Sequence, residues 1–124
     1  MVLNDPATLE AVQAAFVAYE AALLANDNAT LAGFFLDSPV TLRYGLADLQ
    51  HGYDEIVAFR ATQAPFSRRL ERTVITTYGL DAATASTLFR RDDAPGQIGR
   101  QMQTWVRTAD GWKVAAAHVS MMDG

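Results

Sequence analysis

Two polar side chains on neighbouring elements carry the chemistry this chain could do. Arg43 lies midway along Val40-Thr41-Leu42-Arg43-Tyr44, an apolar run that reads as a strand, and none of the forty-two residues before it is Lys or Arg. It is therefore the only cation expected for whatever the N-terminal segment builds. Tyr19 sits on the stripe Leu9, Val12, Phe16, Tyr19, Leu23, whose 3, 4, 3, 4 spacing turns all five side chains to one helix face. A phenol and a guanidinium aimed at one cavity need partners there, which points to a small oxygen-rich anion. The structural alternatives are a core Tyr whose hydroxyl reaches a carbonyl and an Arg on the solvent face of its strand. Thr41 and Arg43 alternate with Val40, Leu42 and Tyr44, as the second alternative requires.

Composition narrows the partners. A chain of 124 residues, half of them apolar, suits one domain over 1–124 with a real core. A net charge of −4 and a pI near 4.9 argue against nucleic acid, and the one dense basic segment, Ser67-Arg68-Arg69-Leu70-Glu71-Arg72, contains an acid. Cysteine is absent, and His51 and His118 are not spaced as a zinc motif, so neither a metal nor another cofactor is expected. No signal-peptide pattern starts the chain and no apolar run reaches membrane-spanning length, which makes the cytoplasm the expected location.

The elements that must position Tyr19 and Arg43 follow from caps and periodicity. Asp5 and Pro6 open a helix that runs to about Asn26, and Asn28 caps a second, short one through Leu31 and Phe35. A strand at 40–44, a turn at Gly45 and a short strand to Gln50 come next. Tyr53, Ile56, Val57 and Phe59 then mark a third helix, ended by Pro65. After Pro65 the residues become β-forming: Arg72–Tyr78, Ala83–Phe89, Gln101–Arg107 and Trp112–Met122. Helices followed by a meander predict an α+β domain with three N-terminal helices against a strongly curved antiparallel sheet.

This order resembles the cone-shaped nuclear-transport-factor-2-like (NTF2-like), or cystatin-like, fold of the NTF2-like/SnoaL-like superfamily. Local blocks are more specific: Phe16–Leu23, Leu42-Arg43-Tyr44-Gly45, Phe59-Arg60, Gly99–Val106 and Gly111–Ser120 together resemble the AtzH-like family, which includes the HpxZ-type proteins of oxalurate catabolism. The resemblance implies a cofactor-independent decarboxylating amidohydrolase acting on 1,3-dicarboxyurea, an intermediate of cyanuric acid catabolism, to give allophanate and CO2. It also implies that Tyr19 and Arg43 are catalytic. Tyr19-Glu20-Ala21-Ala22-Leu23-Leu24-Ala25-Asn26-Asp27 is similar to the first helix of ketosteroid isomerases, whose general base is an Asp that aligns with Arg43. A permanently protonated guanidinium cannot be that base, and it suits anion capture instead.

By the same comparison Gln103 falls where the isomerases place a second hydrogen-bond donor, and Gln101 and Trp105 share its face by alternation. Gln103 and Trp105 are therefore expected to bind substrate, with an exposed sheet face as the alternative for Gln103. His118 groups with Val114, Ala116 and Ser120 on the outer face, where the fold implies a homodimer contact. Arg60 is assigned to solvent. Two function classes stay open: the enzyme, and a non-catalytic accessory or small-ligand-binding protein of oxalurate or ureide catabolism.

Overall fold

Asp5 starts the chain's longest helix, α1 (Pro6–Leu24), by accepting hydrogen bonds from the backbone N–H and hydroxyl of Thr8 at 3.1 and 2.7 Å. A computed structural model describes all residues, 1–124. Val12, Phe16, Tyr19 and Leu23 are buried along α1, as their spacing predicts, and each large apolar side chain so buried contributes about 1.5–3 kcal/mol. By length and composition α1 could also cross a membrane, contrary to the sequence expectation, because alanine raises its apolar character. Here it is a core helix, with one stripe against the sheet.

Asp27, not Asn28, caps α2 (Asn28–Ala32), accepting from the Thr30 N–H at 3.2 Å. The helix stops before Phe35 because the next backbone turns to the last strand: Val114 N–H donates to the Phe34 carbonyl and Leu36 N–H to the Val114 carbonyl, at 2.7 and 2.9 Å. Then follow β1 (Leu42–Tyr44), β2 (Leu49–His51), α3 (Tyr53–Ala61), β3 (Arg68–Tyr78), β4 (Ala82–Arg91), β5 (Gln97–Thr108) and β6 (Gly111–Asp123). Pairing extends each long strand past its β-forming core. The basic segment after Ser67 is thus the start of β3, with Arg69 outward and Arg68 inward.

The six strands form one sheet in the order β2-β1-β6-β5-β4-β3. It is mixed, not wholly antiparallel, because β1 lies parallel to β6 while every other pair is antiparallel. A register shift between Thr104 and Trp105 opposes Trp105 to Val114 and Thr104 to Ala116. Val114 therefore faces the core, apart from Ala116 and His118, which corrects the expected grouping. The alternation in β1 is inverted too: Thr41 and Arg43 are buried, whereas Val40 is 74% exposed.

Candidate functional site

Strand registry lines up Gln50, Arg43, Ala117, Gln103 and Ala85 in one inward-facing row across five strands. The neighbouring row carries Val119, Gln101 and Thr87. Above these rows lies a cavity of about 360 Å³, closed by Tyr19 of α1, Phe59 and Arg60 of α3, and Arg68 of β3. Ala117 on the floor leaves room where a larger side chain would fill it.

Arg43 is only 8% exposed, so the solvent-face alternative does not hold. Its Nη1 donates to Asp48 Oδ1 at 2.7 Å and to Gln50 Oε1 at 2.9 Å, while Gln50 Nε2 donates to the same Asp48 oxygen at 3.0 Å. Burial pushes the Asp48 carboxyl up, but the hydrogen bonds from Gln50 and Arg43, with the Arg43 charge, outweigh it and leave its pKa lowered. Gly45 makes this possible, since a side chain there would run into the Asp48 carboxylate. Arg43 is thus partly neutralised by its own hairpin.

Nor is Arg43 the only cation beside the N-terminal helix. Arg68 donates through Nε and Nη2 to the two oxygens of Glu20, at 2.9 and 2.6 Å, and through Nη2 to Gln101 Oε1 at 3.1 Å. Its guanidinium carbon lies 4.6 Å from the Phe89 ring centroid. Gly99 admits that ring, because a β-carbon at Gly99 would overlap it.

Arg60 is the residue sequence reasoning misplaced. It is 7% exposed, not in solvent, and its side chain makes neither a hydrogen bond nor an ion pair; its Nε is fully buried without a partner. The other three lining arginines each hold a carboxylate: Arg43 with Asp48, Arg68 with Glu20, Arg91 with Asp93. Burial, the first cause, pushes the Arg60 pKa down; Arg43 and Arg68 add to the effect, while Tyr19 and Asp48 oppose it. A guanidinium nonetheless stays protonated at neutral pH. The signal was present in the spacing, since the steps from Tyr53 to Ile56 and from Ile56 to Arg60 are 3 and 4 residues, which puts all three on one face of α3.

An unpaired buried charge opposes folding. Arg60→Met, which keeps the length and removes the charge, is therefore expected to stabilise the ligand-free protein by about 1–2 kcal/mol. Thermal unfolding would show this as a midpoint raised by several degrees; a lower midpoint would mean that the charge is satisfied in the empty cavity.

Tyr19 lines the same cavity. Its ring is fixed edge-on by Phe34, Phe35 and Trp105, at centroid distances of 6.1, 5.9 and 5.9 Å, and its hydroxyl bonds to no group of the chain. Gln103 also reaches the cavity; its Oε1 accepts from Trp105 Nε1 at 3.0 Å, which leaves the amide N–H groups to donate. Trp105 itself is wholly buried outside the lining, where its bulk belongs to the core, so it positions Gln103 and does not touch the cavity. Gln101 Nε2 is a second buried donor without a partner. His118 is exposed on the outer face, 6.0 Å from the Tyr44 ring. No group of three or more His, Asp and Glu side chains is placed to hold a metal ion.

The AtzH-like family profile matches residues 1–124, the whole chain. The chain belongs to the AtzH-like family. It is similar, at 49% identity and a TM-score of 0.96, to a cystatin-like fold protein from Burkholderia xenovorans LB400, over 100% of this chain and 98% of that one. A DUF3225-family protein of unknown function from Pectobacterium atrosepticum SCRI1043 is 47% identical, with a TM-score of 0.94 over 98% and 95% of the two chains. An NTF2-like protein from Pseudomonas putida KT2440, 15% identical over 92% and 86% of the chains at a TM-score of 0.77, shares the fold alone. No curated protein matches the chain. For this AtzH-like protein the fold is thus α+β and NTF2-like, with a six-stranded sheet.

Proposed function

We propose that this AtzH-like protein is a decarboxylating amidohydrolase that converts 1,3-dicarboxyurea to allophanate and CO2 in the cytoplasm, as part of cyanuric acid catabolism. The observation that carries the proposal is the uncompensated Arg60 charge in a cavity shared with Arg43 and the free hydroxyl of Tyr19. Such a cavity calls for a small anion rich in oxygen. In the reaction the bond between one carboxyl carbon and its nitrogen breaks, its electron pair passes to the nitrogen, and CO2 leaves. The nitrogen takes up one proton, so dianion and proton become monoanion and CO2. Arg43 holds a carboxylate; Tyr19 donates to the urea oxygen or nitrogen as charge develops there; Gln103 orients the urea. Three helices against a curved, cone-like sheet would shelter the step, and the outer face bearing His118 would pair two copies as a homodimer.

The test is release of CO2 and allophanate from 1,3-dicarboxyurea by the purified protein alone. Turnover is expected, and Arg43→Ala is expected to lower kcat/KM by about tenfold or more, the effect of one charge-assisted hydrogen bond. Turnover that appeared only after an amidase was added would favour the accessory class, and an unaffected Arg43→Ala would remove Arg43 from the site.

A further inference from the structure

We propose that Arg60 seats the carboxylate that survives the reaction, and that it thereby makes the cavity select two-carboxylate ureas over one-carboxylate ones. The inference rests on the cavity being the place where a carboxylated urea binds. Arg43 and Arg60 both lie against one aromatic ring, with their guanidinium carbons 4.8 and 5.4 Å from the Phe59 centroid. Two cations on one platform span a short distance, which suits a short dianion.

The two are electrostatically unequal, and the inequality assigns the ends. Arg43 already bonds Asp48 and Gln50 through Nη1, so only part of its charge is available to a ligand. Arg60 offers all of its charge. A carboxylate that leaves as CO2 loses its negative charge on the way to the transition state, and a bare cation upon it would favour the ground state and slow the step. That carboxylate belongs beside Arg43, where Asp48 tempers the attraction. The retained carboxylate keeps its charge throughout, so pairing it with Arg60 binds ground and transition states alike.

Stable carboxylates test the seat without chemistry. Glutarate has a carbon chain as long as the C–N–C–N–C chain of dicarboxyurea, and butyrate is its counterpart with one carboxylate. Calorimetric titration of the full chain is expected to show glutarate binding about tenfold or more tighter than butyrate, as one added charge-assisted contact implies. Arg60→Gln is expected to abolish that preference and Arg60→Lys to keep part of it. A wild type indifferent to the second carboxylate, or an Arg60→Gln variant that retains the preference, would overturn the inference. Because the probes do not react, that failure is distinct from failure to decarboxylate dicarboxyurea; an inert protein with the expected preference would keep the seat and lose the reaction. Where turnover occurs, Arg60→Gln is expected to raise KM by about tenfold with kcat nearly unchanged; a fall in kcat at constant KM would move the retained carboxylate elsewhere.

Discussion

Glu20→Leu is expected to destabilise the protein by about 3–5 kcal/mol, because it strands Arg68 as a buried cation. The Arg68 side chain is 4% exposed and that of Glu20 13%, and the carboxylate takes two of the guanidinium's hydrogen bonds in a forked geometry. Gln101 and the Phe89 face remain, but neither supplies a negative charge. Adding Arg68→Met removes the orphaned charge, so the double variant is expected to recover most of the loss. Urea unfolding of the two singles and the double measures this. A single variant within about 1 kcal/mol of the parent would mean that the pair behaves like the exposed Arg107–Asp81 pair, for which that is the usual range.

The second large effect falls on rate and spares the fold. Tyr19→Phe is expected to lower kcat on 1,3-dicarboxyurea by about 10²–10³, the usual loss when one donor to a developing oxyanion is deleted. Stability is expected to stay the same, since the edge contacts with Phe34, Phe35 and Trp105 involve the ring and the hydroxyl bonds to no group of the chain. Rate and melting temperature measured on one preparation separate the roles. A fall in both would mark Tyr19 as a packing residue, and unchanged turnover would take it out of the proposed mechanism.

What the sequence made legible was local. The Asp5 cap, Pro6, the buried stripe of α1 and the shared inward face of Gln101, Gln103 and Trp105 all follow from spacing within one element. What it hid depends on partners distant along the chain. Apart from the family resemblance, Arg43 was suspected mainly because nothing basic precedes it, yet Arg68, forty-eight residues after Glu20, also comes to the first helix. Alternation put Arg43 in solvent; parallel pairing with β6 and bonds from the Asp48 turn override it. Trp105 shares a face with Gln103 but sits deeper, where only the three-dimensional course of the helices decides that it is core. Arg60 was set aside because a charged residue on a helix is ordinarily solvated, although its spacing from Ile56 already placed it on the buried face.

The hairpin of β1 and β2 has a wider consequence. Each strand is three residues long, β2 is the sheet's edge, and β1 joins the rest through one short parallel pairing with β6. Arg43, Asp48 and Gln50 all belong to this unit, bonded to one another. Short edge elements open at far lower free energy than the centre of a sheet. The hairpin is therefore expected to exchange its backbone amide protons before the centre of the sheet does, and Arg43, Asp48 and Gln50, bonded to one another, lose their places together when it opens, whereas Arg60, Gln101 and Gln103 stand on other elements.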